Sequence, residues 1–209
     1  MTPNNIVNMA YIKGLNIISV TDHNCINNFP AIRFIGERLG IEVVPGIEVT
    51  TKEEVHVLCY FKKFNDAQKF ADIIYESLPD RKNQPHIFGE QNIYNSEDEI
   101  IGNLSKLLIN ATNYSIDEIF NMAKEYNGIA VPAHINKKTN SILGVLGFIP
   151  FNLKMDFVEV FQKKDIDEKL IKKYNVLKNS DAHQLTDISE SVNSVELDTI
   201  EGIYDYLKL

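Results

Sequence analysis

The sequence predicts an α/β fold with a largely parallel sheet, either open or closed into a barrel. Three observations point there. Short apolar runs rich in β-branched residues alternate with helical patterns along the chain. Glycines stand where helices should end, at Gly14, Gly40 and Gly128. Ionisable residues fall at or near the C-terminal ends of four apolar runs, the edge at which parallel α/β folds build their sites.

The elements follow in order. A helix is expected over 3–13, with Thr2 as N-cap and Pro3 at the first helical position. A strand is expected over 16–21 and a helix over 30–39. Strands 42–50 and 55–61 read as a pair around a short turn near Lys52. Helices follow over 66–77 and 116–126, the second opened by a capping-box spacing between Ser115 and Glu118. Strands 128–135 and 157–161, helix 165–174, strand 176–179, a further strand at 192–197 and helix 200–208 complete the order. Two stretches break the pattern. Residues 79–96 are polar with little periodicity, and 136–152 are apolar and glycine-containing after a basic start. The chain therefore reads as one domain over 1–209 with a polar insertion at about 79–100.

Composition narrows the class. The 209 residues are 44% hydrophobic and 24% charged, as in a globular protein. The formal net charge of -8 argues against broad nucleic-acid affinity, which needs a basic field. Cys25 and Cys59 form no CxxC pattern and read as free thiols packed in a reducing compartment. No apolar run is long enough for a membrane span and no signal-peptide pattern is present, so the expected location is cytoplasmic.

The polar residues at the run ends carry the chemistry. "NIISVTDHN" ends on Asp22 and His23, "EVVPGIEVT" carries Glu48, "IAVPAHI" carries His134, and "NVLKNSDAH" ends on Asp181 and His183. In the hairpin register centred on Lys52, Glu48 lies directly opposite His56, close enough for both to hold one ion. Asp181 and His183, two apart, share a face of an extended segment. Asp22 and His23 point oppositely on a strand, so one suits a ligand and the other an orienting role. Singly, each would be an ordinary loop histidine, solvated carboxylate or turn residue; together they mark one site. Nitrogen and oxygen donors without thiolate suit Zn²⁺, Mn²⁺ or Fe²⁺ in an open catalytic site. Lys137, just after His134, is placed to meet an anionic substrate. His86, in the polar loop, reads as a surface residue.

"TDHN", "GIEVTT" followed by "VHVLCYF", "PAHI" and "NSDAH" resemble, in that order, the motifs of the PHP (polymerase and histidinol phosphatase) superfamily. The likeness is to its bacterial metal-dependent phosphoesterase branch and runs from about Thr2 to about Ser189. The resemblance implies a distorted (β/α)7 barrel with up to three divalent metals at its mouth. It also implies hydrolysis of phosphate esters, in small phosphorylated metabolites or nucleotides. By motif, His23 and His183 resemble ligands of one metal and Asp181 a ligand of another. Glu48 resembles the bridging carboxylate, with His56 and His134 its partners. Asp22 resembles the orienting acid, and Lys137 a substrate-binding residue. Family members open on a strand with a His-x-His motif ahead of the "TPxxIVxxA" helix, and this sequence starts at that helix. The barrel is therefore expected to lack its first strand, to hold fewer metals than the family, and to associate through exposed edges into a homo-oligomer. That leaves the enzyme's activity in question and sets up two rivals. One is an inactive metal-binding remnant of such an enzyme. The other is an amidohydrolase-type deaminase, disfavoured because no strand-end lysine ligand is found. Some family members act on nucleic acids, which the acidic balance makes the weaker expectation here.

Overall fold

The structure, a computed structural model, describes residues 1–161 and 166–209. Its elements are α1 (Pro3–Ile12), β1 (Ile17–Ile18), α2 (Phe29–Leu39), β2 (Glu42–Val43), β3 (Gly46–Thr50), β4 (His56–Phe61) and α3 (Phe64–Ser77). Then come α4 (Pro85–Phe88), β5 (Asn92–Tyr94), β6 (Ile100–Asn103), α5 (Ile116–Glu125), β7 (Gly128–Pro132) and α6 (Ile142–Leu146). β8 (Phe157–Phe161), α7 (Glu168–Ile171), β9 (Asn175–Asn179) and α8 (Ile203–Tyr206) finish the chain.

The expected (β/α)7 barrel is not what forms. The strands lie in separate small sheets: β1–β2 and β8–β9 are parallel pairs, β5–β6 is an antiparallel pair, and β3–β4–β7 is an antiparallel three-stranded sheet. Among the described residues no ring of strands closes. The physical reason lies in the interruptions. Pro45 splits the expected strand 42–50 into two, because proline has no N–H for the ladder. The strand expected over 16–21 pairs only at Ile17 and Ile18. β7 stops at Pro132, and His134 turns the chain with φ +30°. Residues 192–197 form no strand. The helix expected over 165–174 is a short α7, and Asp165 lies outside the described residues.

The central sheet is buried on both faces, so its strands read as unbroken apolar runs. Ile47, Val49, Val57, Cys59 and Phe61 pack toward Val7 of α1, Ile32 of α2, Phe70 of α3 and Ile119 of α5. Leu58, Tyr60 and Val131 face a second cluster with Val44, Phe157, Ile203 and Leu207. Both cysteines are buried and unpaired with each other. The capping box of Ser115 and Glu118 forms as expected. Gly14 and Gly40 take left-handed conformations at helix ends, with φ +73° and +71°. Gly128 does something else: Asn127 makes the left-handed turn and Gly128 opens β7. A Cβ there would sit 2.5 Å from the Phe61 ring and 2.8 Å from the Tyr60 carbonyl oxygen.

The stretch after α3 is tied to the rest of the molecule by polar contacts. Asp98 takes the Thr2 hydroxyl at 2.6 Å and the Asn4 N–H at 3.0 Å, so Thr2 caps α1 through this loop rather than with its own oxygen. Lys106 Nζ donates to the carbonyls of Tyr75, Glu76 and Leu78, where the macrodipole of α3 leaves negative charge. Asn24, fully buried, donates to the Leu108 and Asn110 carbonyls and accepts from Thr50 N–H. No helix among the described residues is long and apolar enough to cross a membrane.

Gly128→Ala should cost about 1–3 kcal/mol, the range for an overpacked core, and lower the urea midpoint. Gly102→Ala, whose Cβ would meet only Ile93 at 3.4 Å, should change stability by less than ~0.5 kcal/mol. Equal midpoints for the two variants would contradict the packing described.

Candidate metal centre

The site begins with the parity of β3 and β4. Glu48 pairs with Leu58, and Thr50 with His56, so the hairpin register differs by two residues from the sequence expectation. A shift of two keeps every side chain on its face. Glu48 and His56 are therefore diagonal neighbours on one face instead of directly opposed ones. His23 arrives from the segment after β1, which bridges to Glu48 in parallel sense. The Glu48 N–H donates to the Asp22 carbonyl, and the Asn24 N–H to the Glu48 carbonyl. His134 comes from the turn after β7.

These four side chains converge. His56 Nδ1 lies 3.2 Å and His134 Nε2 3.3 Å from Glu48 Oε1, and the two nitrogens are 3.2 Å apart. His23 Nδ1 lies 3.4 Å from the other oxygen, Oε2. His23, Glu48 and His56 offer donor atoms that all fall within 4.8 Å of one another. The His23 and His56 rings are 5.0 Å apart and the His56 and His134 rings 5.2 Å. Glu48 is 5% exposed. Burial pushes its carboxyl up, but hydrogen bonds from His134 and His56 and the charge of His23 outweigh it and hold Glu48 well below the usual carboxylate range. Burial lowers His23, against the pull of Glu48. His134 is raised: its burial acts downward, and the Glu48 carboxylate overrides that.

Asp181 and His183 stand beside this cluster. Asp181 has φ +45°, so the segment is not extended and the two do not share a strand face as expected. The Asp181 carboxylate pairs with Lys137, whose ammonium also lies 4.5 Å from the centre of the Phe161 ring. His183 is mostly exposed, with Nδ1 3.0 Å from the Asp181 carbonyl and its ring 6.4 Å from that of His23. His56, His134, Lys137, Asp181 and His183 line a cleft of about 170 Å³ together with Thr139 and Asn140. A larger depression of about 430 Å³ beside Asp72 and Tyr114 gathers no imidazoles. Asp22 is half-buried, and burial pushes its carboxyl up. Its side chain meets Asn28 Nδ2 at 3.4 Å. His86 is exposed, as expected.

Sequence reasoning passes over Glu159. It is 4% exposed and accepts the His134 backbone N–H at 2.8 Å and Asn179 Nδ2 at 2.7 Å. Burial pushes its carboxyl up against those two hydrogen bonds. The signal is legible in "FVEVF", a charge in the middle of an apolar strand.

The donor set fits a divalent ion. Two donors bonded at ~2.0–2.1 Å to a tetrahedral ion stand about 3.3–3.4 Å apart. The Glu48–His56–His134 triangle has sides of 3.2–3.3 Å. Buried His23 Nδ1 and His134 Nδ1 make no hydrogen bond to a protein atom.

No protein-family profile matches the sequence. A stretch of 61 residues is 28% identical to a 5'-3' exoribonuclease of Haemophilus influenzae, covering 28% of this chain and 22% of that protein. Another, of 51 residues, is 37% identical to an uncharacterised protein of Methanocaldococcus jannaschii, covering 24% of this chain and 30% of that one. Each match spans less than a third of the relative's own length. Among solved structures, the lesion-specific endonuclease PfuEndoQ of Pyrococcus furiosus aligns over 100% of this chain and 51% of its own, with TM-score 0.61 and 22% identity. Endonuclease Q in complex with a 27-mer duplex carrying an abasic lesion aligns over 88% and 45%, with TM-score 0.56 and 20% identity. A Bifidobacterium adolescentis protein assigned to the metal-dependent phosphoesterases aligns over 98% and 90%, with TM-score 0.64 and 18% identity. The likeness is one of fold.

Glu48→Gln should lower the His134 titration in the metal-free protein, because the charge that raises it is gone. Proton NMR of the imidazoles reads this directly, and an unchanged His134 midpoint would contradict the geometry.

Proposed function

We propose that this chain is a PHP-type metal-dependent phosphoesterase that cleaves phosphate esters of small metabolites or nucleotides with the help of Zn²⁺, Mn²⁺ or Fe²⁺. The observation that carries this reading is the triangle of Glu48, His56 and His134 at ligand spacing. The four motif matches and the fold shared with a protein assigned to the metal-dependent phosphoesterases support it.

Each residue has a task in this reading. Glu48 Oε1 with His56 and His134 would hold one ion, and Oε2, 3.4 Å from His23 Nδ1, would offer a donor to a second. His183 and Asp181, at the rim of the cleft, would supply further ligands. Asp22 is the orienting acid beside His23. Bound divalent ions would polarise phosphoryl oxygens and bring the pKa of a coordinated water toward ~7. A phosphate entering the cleft faces the Asp181 carboxylate and needs opposing positive charge. Lys137 supplies it from the chain: its ammonium contacts Asp181 and lines the cleft beside His56 and His134. Turning from Asp181 to a phosphoryl oxygen would let it stabilise the charge that develops there.

The test is hydrolysis by the Mn²⁺- or Zn²⁺-loaded protein. The panel is p-nitrophenyl phosphate, bis-p-nitrophenyl phosphate, nucleoside monophosphates and a single-stranded oligonucleotide, the last covering the nuclease activities named for the similar proteins. Turnover that EDTA abolishes is expected. Glu48→Gln and His134→Ala should each lose about 10²-fold or more. Lys137→Ala should lower kcat together with kcat/KM, because its charge acts on the oxygen where charge develops. No turnover on the whole panel with metal bound would overturn the reading.

A further inference from the structure

Among the described residues, Glu159 is the buried charge that the proposed reaction does not use. It lies mid-strand in β8, on the face shared with Phe157, while Val158 and Val160 fill the main core. An ionised carboxylate with 4% exposure needs strong partners. It has two, and both are donors. One is the backbone N–H of His134, the other the side-chain amide of Asn179 at the end of β9. The surrounding chain repeats the tie. The Glu159 carbonyl accepts from Ile135 N–H at 2.9 Å, and Asn136 exchanges a reciprocal pair of hydrogen bonds with the Phe161 backbone.

The consequence concerns His134. Its φ of +30° is a conformation that costs energy outside glycine and persists only where the surroundings impose it. The Glu159 carboxylate binds the N–H of that same residue. On its other side Asn179 stands two residues before Asp181, on the segment that carries His183. We propose that Glu159 is a positioning residue: it fixes the His134 backbone so that Nε2 meets Glu48 and His56, and through Asn179 it sets that half of the site against the Asp181–His183 half. This rests on the metal-centre reading above.

The chemistry offers a clean exchange. Glutamine at 159 keeps an acceptor for the His134 N–H, and Asn179 can turn its amide so that Oδ1 accepts from the new one, so both ties survive. Methionine keeps the length and removes both acceptors. The experiment is Co²⁺ titration of the full chain, read by visible ligand-field absorption, with the thermal midpoint measured alongside. Glu159→Met should weaken Co²⁺ binding about 10–100-fold, the usual effect of losing an outer-shell partner, and alter the band shape. Glu159→Gln should keep the wild-type affinity and bands. A folded Glu159→Met protein with wild-type affinity and bands would overturn the proposal, because Glu159 would then only support the core. If Glu159→Met does not fold, Asn179→Leu decides: it cuts the tie to the Asp181–His183 half, so weaker binding or altered bands support the proposal, and wild-type affinity and bands overturn it. Wild-type protein that develops no Co²⁺ bands would sink the metal reading itself, and the positioning role with it.

Discussion

A carboxylate with 5% of its surface exposed has to be neutralised where it sits, and the site depends on how Glu48 meets that demand. Its two oxygens are shared among three imidazoles, none more than 3.4 Å away. Protons can satisfy that arrangement only in part. His56 Nδ1 and His134 Nε2 face each other at 3.2 Å as well as facing Glu48. If neither nitrogen carries a proton, three electron-rich atoms meet; if both do, two donors meet. A cation between them removes the conflict.

The fold delivers these groups by interrupting its own sheets. β3 and β4 supply Glu48 and His56 through strand parity. The other two histidines come from places where a ladder has ended: His23 from the single bridge after β1, and His134 from the turn after β7. Asn24 clamps the His23 segment to the Leu108–Asn110 loop and to Thr50, so the long polar stretch after α3 also buttresses the centre. A continuous ladder would have held the same residues in pleated positions that face alternately in and out. Short strands and local left-handed turns instead let the histidines swing inward, at the cost of backbone strain that neighbouring hydrogen bonds must hold.

What the sequence makes legible follows from which physics is local. The capping box at Ser115, the glycine ends at Gly14 and Gly40, and the helices expected over 3–13, 30–39, 66–77 and 116–126 are decided within a few residues and form within two residues of where they are read. That Glu48 and His56 share a face is also readable, because period-two alternation survives a register shift of two. Sheet organisation is not local. The break at Pro45 is local, since proline lacks an N–H for the ladder, but which strands pair into which sheet depends on tertiary packing that no short window encodes. That is why a barrel is expected and separate sheets form. Gly128 reads as a helix end, yet its role is to let the β7 backbone approach the Phe61 ring. Glu159 sits in plain view in an apolar strand, but its partners lie 25 and 20 residues away in sequence, and only the folded chain brings them together.

The central claim is that Glu48, His56 and His134 hold a single divalent ion between them. Crystals of the protein grown with Zn²⁺, with diffraction recorded on both sides of the zinc absorption edge, test it most directly. The account predicts an anomalous peak inside the triangle, bonded to Glu48 Oε1, His56 Nδ1 and His134 Nε2 at ~2.0–2.2 Å. Crystals that contain zinc, yet show no anomalous peak among those three atoms, would contradict it.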